Sequence, residues 1–286
     1  MTAARRYLLT LTCPDRPGII AAVSTFIAGY AGTISESASH SEPATGHFFL
    51  RQEIVAESLP FDIQELRTRF APIAQEFNMQ WGVSDSATPK RIVLLASKQD
   101  HCLADLLYRW RSKEFAFDIP CVISNHDSLR ALVEWHNIPY IHVPVAAQDK
   151  KSAHARILDL CEQHAADAIV LARYMQILPD DFCHAYPHRI INIHHGLLPA
   201  FVGARPYHQA FERGVKQIGA TCHYVTQELD AGPIIEQDVI RVDHSEAAED
   251  LIRLGRDVEK TVLSRGVRYH IEDRVLVHGA RTVVFK

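Results

Sequence analysis

The spacing of apolar and polar residues changes character partway along the chain. Residues 7–12 are rich in β-formers and end at the breaker Pro14-Asp15-Arg16-Pro17-Gly18. Beyond it Ile20, Val23, Phe26 and Ile27 recur at helical spacing. Residues 33–39 and 47–55 read as two strands around a turn at 43–46. Residues 61–77 set Ile63, Leu66, Phe70 and Ile73 on one helical side, and 79–83 supply a last strand. The order βαββαβ predicts a ferredoxin-like unit over residues 1–83.

Residues 84–89 carry no large apolar side chain, so 84–90 reads as a linker. From residue 91 the pattern becomes an alternation of strand and helix. Residues 92–96, 119–124, 140–143, 168–172 and 190–193 are short apolar runs, with helical patterns at 101–111, 128–135 and 152–164. Strands that lack a polar face must be covered on both sides. This predicts a Rossmann-like α/β domain with a mostly parallel sheet over 91–286. Two further strands, 220–225 and 234–240, precede a long helix at about 247–269.

Length and composition narrow the class. A chain of 286 residues accommodates two domains. Lys and Arg total 30 against 34 Asp and Glu, which is not the basic balance of a nucleic-acid binder. No apolar run approaches the ~18 residues that span a bilayer, and the N-terminus lacks the pattern of a signal peptide. The six cysteines form no C-x-x-C pair. Together these features predict a cytoplasmic protein with reduced thiols.

Open parallel α/β sheets bind ligands beyond the carboxyl ends of their strands. The run Ile190-Ile191-Asn192-Ile193-His194 places Asn192 and His194 on one face of such an end, with His195 opposite. An amide beside an imidazole can stabilise and protonate a developing oxyanion. Polar residues in such places also satisfy buried backbone groups. The run Glu228-Leu229-Asp230-Ala231-Gly232-Pro233 offers Asp230, either as a turn former or as an acceptor for His194 and a base for water. Spacing alone leaves both readings open. Cys183, His184, His188, His194 and His195 raise a zinc site, but their spacing matches no standard ligand motif. No metal or cofactor is expected.

Three segments carry a family resemblance. Asn192-Ile193-His194 with Leu197-Leu198-Pro199-Ala200-Phe201, then Leu229-Asp230-Ala231-Gly232-Pro233-Ile234-Ile235, and upstream Leu171-Ala172-Arg173-Tyr174-Met175-Gln176-Ile177-Leu178 resemble the folate-dependent formyltransferases. The resemblance covers about 91–286. It implies a 10-formyltetrahydrofolate site and a catalytic trio at Asn192, His194 and Asp230. Folate would be held around Met175, Gln176, Leu178, Thr226 and Leu229, largely through backbone groups. Ser124-Asn125-His126-Asp127, Gly203-Ala204-Arg205-Pro206-Tyr207-His208-Gln209 and Gly255-Arg256-Asp257-Val258-Glu259-Lys260 resemble members of the family that hydrolyse the formyl group. Gly196 departs from the family pattern, which has serine after the paired histidines.

The opening Leu11-Thr12-Cys13-Pro14-Asp15-Arg16-Pro17-Gly18-Ile19-Ile20 resembles an ACT domain. That resemblance implies a homo-oligomer, dimer or higher, through residues 1–83. It also implies an amino-acid effector near Asp15 and Gly18. The acceptor follows from a second comparison of motifs. Transferases that act on glycinamide ribonucleotide hold its phosphate in a turn rich in glycine and serine after the domain's first strand. Here that turn reads Ala96-Ser97-Lys98-Gln99-Asp100-His101-Cys102, without glycine and with an acid. Water is therefore the expected acceptor, giving tetrahydrofolate and formate for purine biosynthesis and one-carbon balance. Formyl transfer to a small amine and a non-catalytic amino-acid sensor are the alternatives.

Overall fold

The structure is a computed structural model that describes residues 4–146, 148–200, 203 and 205–286. Phe201 and Ala204, which belong to the motifs above, lie outside the described residues. Contacts divide the chain into two compact units: residues 1–89, 272–278 and 283–286 form the first, and residues 90–271 and 279–282 the second.

The first unit begins β1 (Arg6–Pro14), α1 (Ile19–Gly29), β2 (Ile34–Glu42), β3 (His47–Val55), α2 (Ile63–Glu76) and β4 (Gln80–Asp85). Its strands form an antiparallel sheet in the order β2-β3-β1-β4. Gly18, at φ 97°, ends the breaker and opens α1. Asp62 opens α2, its side chain accepting from the N–H groups of Gln64 and Glu65. Val23, Ile27, Leu66 and Phe70 share one core with Leu9, Leu11 and Leu50. Seven consecutive residues of β3 are buried, so both faces of that strand are covered.

The second unit runs β5 (Lys90–Ala96), α3 (His101–Arg111), β6 (Phe117–Asp118), β7 (Val122–Ser124), α4 (Arg130–Glu134), β8 (Tyr140–His142), α5 (Lys150–Gln163) and β9 (Ala168–Ala172). It continues α6 (Asp180–Ala185), β10 (Ile190–His194), α7 (Pro206–Glu212), β11 (Gln217–Tyr224), β12 (Ile234–Arg241) and α8 (Ala248–Ile271). The sheet order is β12-β11-β10-β9-β5-β7-β8, with β6 paired to β5. Pairing is parallel from β10 through β8, and antiparallel where β11 and β12 are added. This is the mostly parallel sheet expected from the apolar runs. Val93, Leu95, Ile157, Ile169, Leu171 and Phe182 build the core on one face, and α8 packs on β10, β11 and β12.

Three expectations need correction. The strand expected over 119–124 is shortened to β7 at Val122–Ser124, because Pro120 has no N–H to donate to a ladder, and the short β6 at Phe117–Asp118 precedes it. The linker is shorter than 84–90: Ser84 and Asp85 complete β4 and Lys90 starts β5. The last segment does not stay with the domain expected over 91–286. Beyond α8 the chain forms a two-stranded ribbon, β13 (Val275–His278) and β14 (Arg281–Val284). Residues 272–278 and 283–286 group with the first unit.

Apolar burial and charge explain that return. Phe49 points away from the core shared by Phe48 and Leu50, and packs instead with Leu276 and Phe285. Arg51, 1% exposed, donates to the Glu272 carbonyl at 3.0 Å and to Glu53 at 2.7 Å. Arg274 donates to Glu36 at 3.1 Å. The second sheet face is thus partly covered from within the chain. Phe49→Ala is expected to cost about 3–5 kcal/mol of stability, read as a lower denaturant midpoint. An unchanged midpoint would show that the C-terminal cover contributes nothing.

Candidate active site

The site is built at the carboxyl end of β10, where the sheet changes from parallel to antiparallel. Ile190, Ile191 and Ile193 anchor the strand in the core. Alternation then sets Asn192 and His194 on a common face. Antiparallel pairing with β11 brings Asn192 opposite His223 and His194 opposite Thr221.

His223 fixes the Asn192 amide. Its Nδ1 lies 2.9 Å from the Tyr224 carbonyl oxygen. A carbonyl can only accept, so Nδ1 carries the proton. Burial holds the His223 imidazole below its ordinary range, despite the hydrogen bond to Tyr224 and the charge of Asp230. The ring is therefore neutral, and its bare Nε2 accepts from Asn192 Nδ2 at 3.1 Å. His223 had no motif to mark it; the one clue was an imidazole inside an otherwise apolar strand.

Asp230 arrives from the turn between β11 and β12. The residue sits at φ 56°, a left-handed conformation that aspartate tolerates better than most side chains. Two residues on, a Cβ added to Gly232 would lie 1.8 Å from the Tyr224 carbonyl oxygen, so only glycine fits. Tyr224 N–H donates to the Pro233 carbonyl at 2.9 Å and closes the turn. The result places Asp230 Oδ2 3.3 Å from His194 Nδ1, with both side chains less than a tenth exposed. Burial alone would raise the Asp230 carboxyl. The hydrogen bond and charge of His194, the Gly203 N–H and the charge of His223 outweigh it and hold the carboxyl below its ordinary range.

A cavity of about 290 Å³ has Asn192, His194 and Asp230 in its lining. Met175, Gln176 and Leu178 from the segment after β9 line it too, as do Thr226 and Leu229 from the segment before Asp230. All eight residues singled out in the second domain therefore meet in one place. Asp15 and Gly18 belong to the first unit. Asp15 N–H donates to the Gly46 carbonyl at 2.8 Å, and its side chain is exposed.

Beside the trio lies a buried ionic network with no counterpart in the expectations. Arg173 Nε donates to Gln99 Oε1 at 2.8 Å and lies 3.3 Å from Glu259. Glu259, 1% exposed, also accepts from Tyr207 at 2.8 Å and sits 2.8 Å from His101 Nε2. Among the described residues, His101, Cys102 and Glu259 are the one group that brings three ligand-type atoms within 4.8 Å of one another. Its carboxylate is already engaged, and Arg173 beside it repels a cation. Cys183, His184 and His188 join His194 and His195 in no such group among the described residues. His195 packs edge-on to Tyr207. Burial, aided by the charge of Arg173, depresses its imidazole to about 3.

Comparison with known proteins agrees with this architecture. The family described as Formyl transferase matches residues 90–267. The formyltetrahydrofolate deformylase of Bacillus subtilis (strain 168) is 47% identical over 278 residues, 97% of this chain and 93% of that protein. The crystal structure of a formyltetrahydrofolate deformylase from Pseudomonas syringae pv. tomato has a TM-score of 0.99 at 59% identity, covering 100% of this chain and 96% of that one. A glycinamide ribonucleotide transformylase from Symbiobacterium toebii aligns over 69% of this chain and 95% of its own, with a TM-score of 0.66 at 30% identity.

The depressed His195 imidazole gives a pH prediction. The unfolded chain takes up the proton near pH 6.5, whereas the folded chain resists it until about 3. Between those limits the unfolded state binds more protons, so stability should fall as pH is lowered from 6.5 toward 3. Above 6.5 the residue contributes no slope. In His195→Gln the fall should be shallower, measured by denaturant melts at several pH values. Identical slopes in both proteins would overturn the assignment.

Proposed function

The chain belongs to the formyltetrahydrofolate deformylase family, and on that premise we propose that it hydrolyses 10-formyltetrahydrofolate to tetrahydrofolate and formate. The observation that carries the mechanism is the 3.3 Å pairing of His194 with Asp230, with Asn192 in the lining of the same cavity. A formamide resists attack because its nitrogen feeds electron density into the carbonyl. Attack by water turns the formyl carbon tetrahedral and leaves an oxyanion. An N–H of Asn192 and protonated His194 stabilise that charge. Asp230 sustains the charge on His194 and takes up the water's proton. Collapse of the intermediate breaks the C–N10 bond; His194 gives its proton to N10 as it leaves and recovers one from Asp230. The acid released gives up its remaining proton to solvent and leaves as formate.

Folate is held between the segments 175–178 and 226–229. Their backbone groups suit a flat heterocycle with polar edges. Water, rather than an amine, is the acceptor. The turn that would hold an acceptor's phosphate is occupied by internal bonds. Ser97 donates to Asn125 at 2.7 Å and accepts from Met175 N–H at 3.0 Å, while Gln99 accepts from Arg173. No step calls for a metal or cofactor. The formate and tetrahydrofolate serve purine biosynthesis and one-carbon balance in the cytoplasm. All six cysteines are unpaired, and no helix among the described residues is long and apolar enough to cross a membrane.

The N-terminal domain, residues 1–83 with its ACT-like opening, assembles the enzyme into a homo-oligomer and binds an amino-acid effector near Asp15 and Gly18. The free N–H groups at the start of α1 favour a carboxylate there.

Two measurements test these readings. Asp230→Asn should leave the fold intact and lower turnover by at least about 10²-fold, assayed as formate release without any acceptor. Near-normal turnover would remove Asp230 from the mechanism, and activity only with an added amine would favour the transferase. Sedimentation should find a dimer or larger species whose activity responds to an amino acid. A monomer would refute the assembly, and an unresponsive oligomer would leave the first unit a scaffold.

A further inference from the structure

Arg173 combines three properties that its structural role leaves unexplained. It is 6% exposed, it lines the reaction cavity, and its Nη1 has no hydrogen-bond partner. A buried charged donor without an acceptor is costly, so such a group points to something missing. The guanidinium is held from the other side, where Nε meets Gln99 Oε1 and Glu259. The residue follows directly on β9, at φ 61°. The parallel register sets Asn192 opposite Leu171, and Arg173, two residues beyond Leu171, shares the cavity lining with His194.

We infer that Arg173 is a binding residue for the small carboxylate product, formate, and that this inference deepens the hydrolase reading on which it rests. The product is a planar monoanion made inside the cavity. Asp230 and Glu228, the two acids of the lining, repel it. Among the described residues, Arg173 is the one Lys or Arg in that lining. His195, depressed to about 3, adds no charge at neutral pH. An Arg N–H bond to a carboxylate oxygen is charge-assisted and directional, so it completes Nη1 more strongly than a neutral acceptor would. Glu259 behind the guanidinium balances much of its charge. Binding is therefore loose enough for release.

The same contact gives the oxygens of the nascent product a place to settle away from Asp230 as the C–N10 bond breaks. Arg173 thereby keeps the new negative charge of the product apart from the carboxylate of Asp230. A lysine would keep the charge but not the planar fork, which makes Arg173→Lys the informative variant.

The test reads formate binding without turnover. The full chain, free of folate, is titrated with ¹³C-formate, and the excess line width of the formate carbon is followed. The wild type should broaden the line. Arg173→Gln and Arg173→Lys should weaken binding at least tenfold, and formate should become an equally poorer product inhibitor of both. If Arg173→Gln does not fold, the wild type and Arg173→Lys decide the matter. No broadening by the wild type, or equal broadening and inhibition in Arg173→Lys, overturns the inference. Failure to release formate from 10-formyltetrahydrofolate would instead remove the hydrolase reading, leaving the ¹³C result to stand alone.

Discussion

The close pass of the Gly232 backbone against the Tyr224 carbonyl is the constraint on which the geometry of the site depends. β11 must end at Tyr224 so that His223 can face Asn192 across the antiparallel ladder. The chain must then turn tightly enough to return as β12 at Ile234. With no Cβ at 232, that turn folds down onto β11 and carries Asp230 to His194. The carboxylate is thus positioned by backbone geometry. Four side chains from two strands and a turn depend on one absent methyl group.

Charge is distributed on either side of this constraint by pairing. His194 beside Asp230 and the ion pair of Arg173 with Glu259 are two buried contacts between adjoining elements, each supplemented by neutral donors or acceptors. A lone buried charge would be costly to keep. Tyr207 and Gln99 satisfy part of the Glu259 and Arg173 valence, as Gly203 does for Asp230. Gly255 leaves room for this: a Cβ there would lie 2.1 Å from the Tyr207 ring and hydroxyl. The helix α8 is thereby pressed against the phenol that holds Glu259.

Most of the second unit was legible because its parallel strands are mostly apolar and its longer helices show a clear period. The shared face of Asn192 and His194 followed from alternation alone. Asp230 could be named but not placed, because nothing in a linear spacing reports that β11 turns antiparallel. His223 was missed since an isolated histidine in an apolar strand looks like any satisfied core residue. Arg173 sat within a recognised segment yet gave no sign of burial, as its partner Glu259 lies far along the chain in α8. The helices α6 and α7, of six and seven residues, are too short to show a full apolar period. The ribbon near the C-terminus went unread because Leu276 and Phe285 have their apolar partner in β3, on the first unit.

That ribbon imposes an order on biosynthesis. The strands β1–β4 leave the ribosome early, with the outer side of β3 still bare. Phe49 and the guanidinium of Arg51 then wait while the whole second unit is translated. A sheet with an uncovered aromatic face is the kind of species that associates wrongly at cellular concentrations. Nascent chains should therefore pass through a stage that relies on chaperones or on rapid elongation, which ends when Leu276 and Phe285 emerge to close the face. Slow codons placed late in the message would lengthen that exposure, whereas the same codons upstream of β1 would not.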